Sequence, residues 1–145
     1  MAAEKQYPAG YGPVQPVADY RPWDVDPLFG PLYAAVREHT KVDEARCYLL
    51  WRQALQAGSV PGDFLEVGVW RGGTAALLSD AADRLGDGRH VYAADTFRGV
   101  VKAGPKDDYY RGGEHADPTV ETVEGLLSEL GTGNTSVLAG MCPDE

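Results

Sequence analysis

The sequence predicts an α/β domain of the doubly wound kind, with about three parallel strands and flanking helices. Three observations lead there. Short apolar runs of strand length alternate with stretches of helical periodicity in the order α-α-β-α-β-α-β. Such alternation means parallel strands joined by right-handed crossovers. A glycine-rich turn stands directly after the first strand, which is where doubly wound folds bind ligands. The 145 residues match one domain, and 43% apolar with 24% charged residues is an ordinary globular balance.

The elements follow in order. Residues 1–30 carry Pro8, Pro13, Pro16, Pro22 and Pro27 interleaved with Tyr7, Tyr11, Tyr20, Trp23 and Phe29. Proline at this density opposes helix and ladder alike, so an extended arm is expected there. Its aromatics either pack on its own domain or a partner subunit, or belong to a disordered leader. Residues 31–145 form the domain. Leu32, Tyr33, Ala35 and Val36 predict a short helix ending near His39. Thr40 and Asp43 have capping-box spacing ahead of a second helix, in which Cys47, Leu50, Trp51, Ala54 and Leu55 share one face. Gly58 and Pro61 end it.

Residues 64–69 read as a short buried strand, and the turn Arg71-Gly72-Gly73 leads into a helix with Leu77, Leu78, Ala81, Ala82 and Leu85 inward. Residues 90–94 are a second strand ending at Asp95. Residues 97–116 form a long polar loop, and a loop of that length in a compact domain is functional or disordered. Asp117-Pro118 is expected to start a third helix, with Val120, Val123, Leu127 and Leu130 inward, before a third strand over 135–139. Three strands are about half of a doubly wound sheet. The first strand normally lies at the centre, so one of its edges is expected to stand open. A fragment, or a domain completed by another chain, is the expectation.

Thirteen Lys and Arg against twenty-two Asp and Glu give a formal charge of -9, which argues against nucleic acid as a partner. No apolar run approaches the ~20 residues of a membrane span, and the N-terminus has no signal-peptide layout. Cys47 and Cys142 lack metal-type spacing. A cytoplasmic protein with no membrane partner is expected.

The turn Glu66-Val67-Gly68-Val69-Trp70-Arg71-Gly72-Gly73-Thr74 admits several ligand classes. A phosphate-cradling loop needs a Lys before its Ser or Thr, and none precedes Thr74. A dinucleotide turn needs a second glycine where the backbone meets the pyrophosphate, and Trp70 stands there. A ligand with an adenosine and no phosphate, S-adenosylmethionine, fits better. Glu66 ends the first strand, and Asp95 ends the second, where a carboxylate can accept from ribose hydroxyls. A nucleotide, or glycines that only form a tight turn, remain as alternatives.

The block Pro61-Gly62-Asp63-Phe64-Leu65-Glu66-Val67-Gly68-Val69-Trp70-Arg71-Gly72-Gly73 closely resembles the signature of the macrocin O-methyltransferase family. Asp95-Thr96-Phe97-Arg98-Gly99, residues 112–117 and residues 140–145 are also similar to it, in order from about Val42 to the end. The resemblance implies the N-terminal half of a Rossmann-like class I methyltransferase fold. It further implies a magnesium-assisted, S-adenosylmethionine-dependent transfer to a sugar hydroxyl of a glycosylated natural product. It places Glu66, Gly68, Trp70, Gly72 and Gly73 around the methionine part of the donor. Asp95 and Thr96 would lie at the ribose, with Phe97 or Arg98 near the adenine. Arg71 pairs either with the donor carboxylate or with a surface anion. The family's metal ligands and general base are aspartates after the next two strands, so no metal ligand is expected in this chain. Among these residues His115 is the candidate base, and His115, Tyr109 and Tyr110 are candidates for acceptor contact. Expected partners are the small-molecule acceptor and either a second copy of the chain or a missing C-terminal half. A non-catalytic binding module and a nucleotide-dependent enzyme are the competing functions.

Overall fold

The computed structural model describes residues 19–141. Most of the proline–aromatic arm, Cys142 and residues 143–145 lie outside them. The elements are α1 (Phe29–Val36), α2 (Glu44–Gln56), β1 (Phe64–Val67), α3 (Gly73–Leu85), β2 (Val91–Asp95), α4 (Val120–Glu129) and β3 (Thr135–Ala139). The sheet order is β1-β2-β3 and both pairings are parallel. Glu66 stands opposite Ala93, which stands opposite Val137. The strand order places β1 at an edge, as the sequence predicts for a sheet wound outward from its first strand.

Two boundaries differ from expectation near the N-terminus. Pro22–Val25 forms a 3₁₀ turn rather than extended chain, with Pro22 at its first position, where a missing N–H costs nothing. Phe29 opens α1 and is fully buried, with rings 5.0 Å from Tyr48 and 5.7 Å from Trp51. Trp23 packs 6.0 Å from Tyr48. This stretch therefore packs on its own domain, because its aromatics complete the core beside α2.

Asp43, not Thr40, caps α2, its side chain accepting from the Arg46 N–H. Thr40 instead accepts from the Val42 N–H two residues on, which makes a local turn before the helix. Cys47, Trp51 and Ala54 are buried as predicted, while Leu50 and Leu55 pack on the core from its margin. Tyr48, unpredicted, is buried beside them. The cap of α4 is Thr119, reciprocally bonded with Thr122. Asp117 turns instead to Trp70 and Arg71.

β1 ends at Val67, because Gly68 has φ +92° and leaves the strand. Residues 64–67 are also not buried on both faces. Phe64 and Glu66 point to the covered face, whereas Leu65 and Val67 are 63% and 58% exposed. Leu65 and Tyr92 are register partners, as are Val67, Ala94 and Leu138. Leu65, Val67, Tyr92 and Leu138 thus leave an apolar sheet face open, where a parallel sheet is ordinarily covered.

Candidate functional site

The carboxyl ends of the strands open onto a cavity of about 570 Å³. Its walls come from the segment before α2, the turn after β1, the end of β2, the loop after β2 and the exit of β3. Asp95 organises the centre. Its Oδ2 accepts from the Val69 and Trp70 backbone N–H groups at 2.8 and 2.9 Å, and its Oδ1 accepts from Phe97 N–H at 2.9 Å. One carboxylate therefore ties the first strand-to-helix turn to the second strand.

Glu66 lies just behind that turn on the helix-covered face. Burial pushes its carboxyl up to about 7, opposed by a hydrogen bond from the Thr74 side chain and reinforced by nearby Asp95. Its Oε2 is buried with no hydrogen-bond partner among the described residues. Gly68, at the cavity wall, has open space where a Cβ would stand, so a ligand can approach the backbone there.

Trp70 is the hub of the rim. It adopts φ +51°, an unfavourable backbone for a bulky residue. Its backbone N–H, donating to Asp95, holds that conformation from one side. From the other, its indole N–H donates to Asp117 Oδ1 at 3.0 Å. Arg71 donates to Asp117 Oδ2 through Nε at 2.9 Å and Nη2 at 2.6 Å. These bonds, Trp70 first and Arg71 second, hold the Asp117 carboxyl below its ordinary range. They also explain why Asp117 does not cap α4. The Lys41 Nζ lies 4.1 Å from the Trp70 ring centroid, and the His115 ring meets the Trp70 edge at 6.4 Å.

The loop over 97–116 is built rather than loose. Val100 N–H donates to Glu114 O and Gly113 N–H to Val100 O. The Glu114 carboxylate accepts from the Arg111 and Gly112 N–H groups. His115 has φ +65° and touches Tyr110 at 6.0 Å between ring centroids. Val100, Val101, Tyr110 and His115 roof the cavity.

The profile described as Macrocin-O-methyltransferase (TylF) matches residues 39–127, well over half of the chain. The chain belongs to this family. Over 53 residues it is 40% identical to the 8-demethyl-8-(2,3-dimethoxy-alpha-L-rhamnosyl)-tetracenomycin-C 4'-O-methyltransferase of Streptomyces olivaceus, covering 36% of this chain and 20% of that protein. Over 60 residues it is 45% identical to the demethyldecarbamoylnovobiocin O-methyltransferase of Streptomyces niveus, covering 37% of this chain and 20% of the relative. The solved structure of the O-methyltransferase NovP superimposes with a TM-score of 0.58 at 26% identity, covering 73% of this chain and 49% of that one. The matches thus span about a fifth of the curated relatives and about half of NovP. The three parallel strands with their helices are an N-terminal portion of that Rossmann-like fold.

Within this chain the predicted residues separate into groups. Gly68, Trp70, Asp95, Thr96, Tyr110 and His115 line the cavity. Glu66 supports it from behind. Gly72 and Gly73 do not line it. A Cβ on Gly72 would meet Val123 Cγ1 at 2.8 Å, and one on Gly73 the His39 carbonyl oxygen at 2.7 Å, so both permit close packing around α3. Arg71 forms a surface ion pair with Asp117. Phe97 is turned against the core rather than into the cavity. Arg98 is exposed on a smaller recess with Thr96 and Met141, and Tyr109 is 86% exposed and outside both.

Sequence reasoning missed Lys41 and Val42, which line the cavity although the stretch reads only as a helix cap. It also missed Asp117 as the anchor of the loop. No local pattern signals a contact 46 or 47 residues away.

Proposed function

We propose that this chain forms the donor-binding part of an S-adenosylmethionine-dependent O-methyltransferase that acts on a sugar hydroxyl of a glycosylated natural product. The observation that carries the reading is the unpartnered, buried Oε2 of Glu66 beneath a glycine turn that opens on the cavity. A buried acceptor without a donor costs stability unless something supplies one. The ammonium of an amino-acid ligand lying along Gly68 is such a donor. It would favour the ionised carboxylate, against the burial that now raises its pKa.

Asp95 spends three acceptor sites on backbone N–H groups, and a carboxylate has about four. It can still take one ribose hydroxyl while holding the turn. When bound, the donor supplies an electrophilic methyl group on a sulfonium sulfur. Val100, Val101 and Tyr110 would exclude water above it, and His115 stands at the roof where an acceptor hydroxyl would arrive. The acceptor class follows the relatives, one of whose names places its reaction on a rhamnosyl tetracenomycin.

Among the described residues, no group of three or more His, Cys, Asp or Glu could hold a metal ion. The magnesium reading rests on the resemblance alone, which puts the metal ligands after the next two strands and not among these residues. No described helix is long and apolar enough to cross a membrane. A cytoplasmic, self-associating protein remains part of this reading, supported by the cysteine usage and the open sheet face.

Calorimetry with S-adenosylhomocysteine, NAD and ATP tests the proposal. Binding of S-adenosylhomocysteine alone supports it. Preference for NAD or ATP would turn the reading to a nucleotide enzyme, and no binding by any of the three would leave a non-catalytic module.

A further inference from the structure

We propose that Lys41 binds the carboxylate of the donor's amino-acid portion, an inference that rests on the donor reading above. An amino-acid zwitterion needs an acceptor for its ammonium and a cation for its carboxylate. Glu66 offers the acceptor. Arg71 is the cation that the turn sequence suggests, but its Nε and Nη2 are committed to Asp117 outside the cavity. Lys41 does line it.

Packing sets the position of Lys41. The chain at His39 and Thr40 is pressed on the first turn of α3, so closely that a Cβ on Gly73 would lie 2.7 Å from His39 O and 2.9 Å from Thr40 Cβ. Thr40 Oγ accepts from Val42 N–H at 3.1 Å, so Lys41 sits within a bonded turn beside the glycine turn. Its Nζ rests 4.1 Å from the centroid of Trp70, whose backbone N–H Asp95 holds. An aromatic face attracts the ammonium charge without occupying its N–H donors directionally, so they remain suited to a carboxylate. Lys102, on the loop after β2, also lines the cavity and is the rival cation.

Calorimetry on the full chain separates these possibilities with two ligands. S-adenosylhomocysteine carries the amino-acid carboxylate, and 5′-methylthioadenosine lacks the whole amino-acid group. Lys41→Met is expected to weaken S-adenosylhomocysteine about tenfold or more, with 5′-methylthioadenosine changed by less than about twofold, and Lys41→Arg to retain most of the affinity. The side chain is exposed, so a thermal melt should show both variants folded like the parent. Unchanged S-adenosylhomocysteine affinity in Lys41→Met overturns the inference in favour of Lys102 or backbone donors. Equal loss for both ligands also overturns it, since Lys41 would then act by packing on Trp70. A parent protein that binds 5′-methylthioadenosine as tightly as S-adenosylhomocysteine removes the carboxylate subsite while leaving the adenosine site. A parent that binds neither ligand overturns the donor reading, and this inference with it.

Discussion

Burying Glu66 between β1 and α3 makes folding oppose its ionisation. Its carboxyl titrates at about 7 instead of 4.5, so the folded chain holds a proton that the unfolded chain has already lost. Stability contributed by this group is therefore present in acid, falls as pH rises from about 4.5 to about 7, and is fully lost above that; the shift amounts to roughly 3 kcal/mol. Glu66→Gln should remove this dependence. Urea unfolding of the two proteins should show Gln gaining relative to Glu between pH 5 and pH 8, and a constant difference would place Glu66 in water. Asp95 behaves differently because its bonds are made. Asp95→Ala orphans three backbone N–H groups and should cost about 3 kcal/mol, with Asp95→Asn losing less, since its amide oxygen still accepts. Loss of donor affinity without loss of stability would mean that Asp95 serves the ligand and not the turn.

At the scale of elements, the loop after β2 is joined to the turn after β1 through one side chain. Asp117 receives the Trp70 indole and the Arg71 guanidinium, and the strained backbones of Trp70 and His115 lie on either side of the contact. The described residues with positive φ outside glycine are Trp70, Phe97 and His115, and Trp70 and His115 line the cavity. Strain of this kind persists only where surrounding bonds over-determine it. Asp117→Ala should therefore release the roof. Hydrogen exchange of residues 100–116 is expected to quicken, while the amides of α2 and α3 keep their protection. The same release should follow acidification below the ordinary carboxylate range, because the Asp117 carboxyl is held low and the contact fails when it protonates. Uniform quickening across the molecule would show that Asp117 supports the whole fold rather than the loop.

On the scale of the molecule, the sheet has one covered face and one open face. Leu65 and Tyr92 stand side by side on the open one, and among the described residues β1 has an unpaired edge next to them. Exposed apolar strands with free backbone groups associate. Residues 1–145 in isolation should self-associate in light scattering, and Leu65→Lys should shift the population toward monomer without changing the far-ultraviolet dichroism. Leu65 lines no part of the cavity, so ligand affinity should be retained. A parent chain that stays monomeric at high concentration would show that the face is already covered.

The alternation of strands and helices, the glycine turn and the placement of Glu66 and Asp95 at strand ends were legible in sequence, because each depends on local periodicity or on residues a few positions apart. The commitment of Arg71 to Asp117, the packing roles of Gly72 and Gly73, the burial of Phe29 and the approach of Lys41 to the cavity were decided only in three dimensions. Each joins elements that the sequence separates widely, and a contact of that kind leaves no pattern in the residues between. The cap of α2 falls between the two cases. Thr40 and Asp43 both have capping chemistry, and the packing of Thr40 on α3 decides which of them caps. Local chemistry thus determined what each segment can form, while close packing around α3 determined which side chains face the cavity.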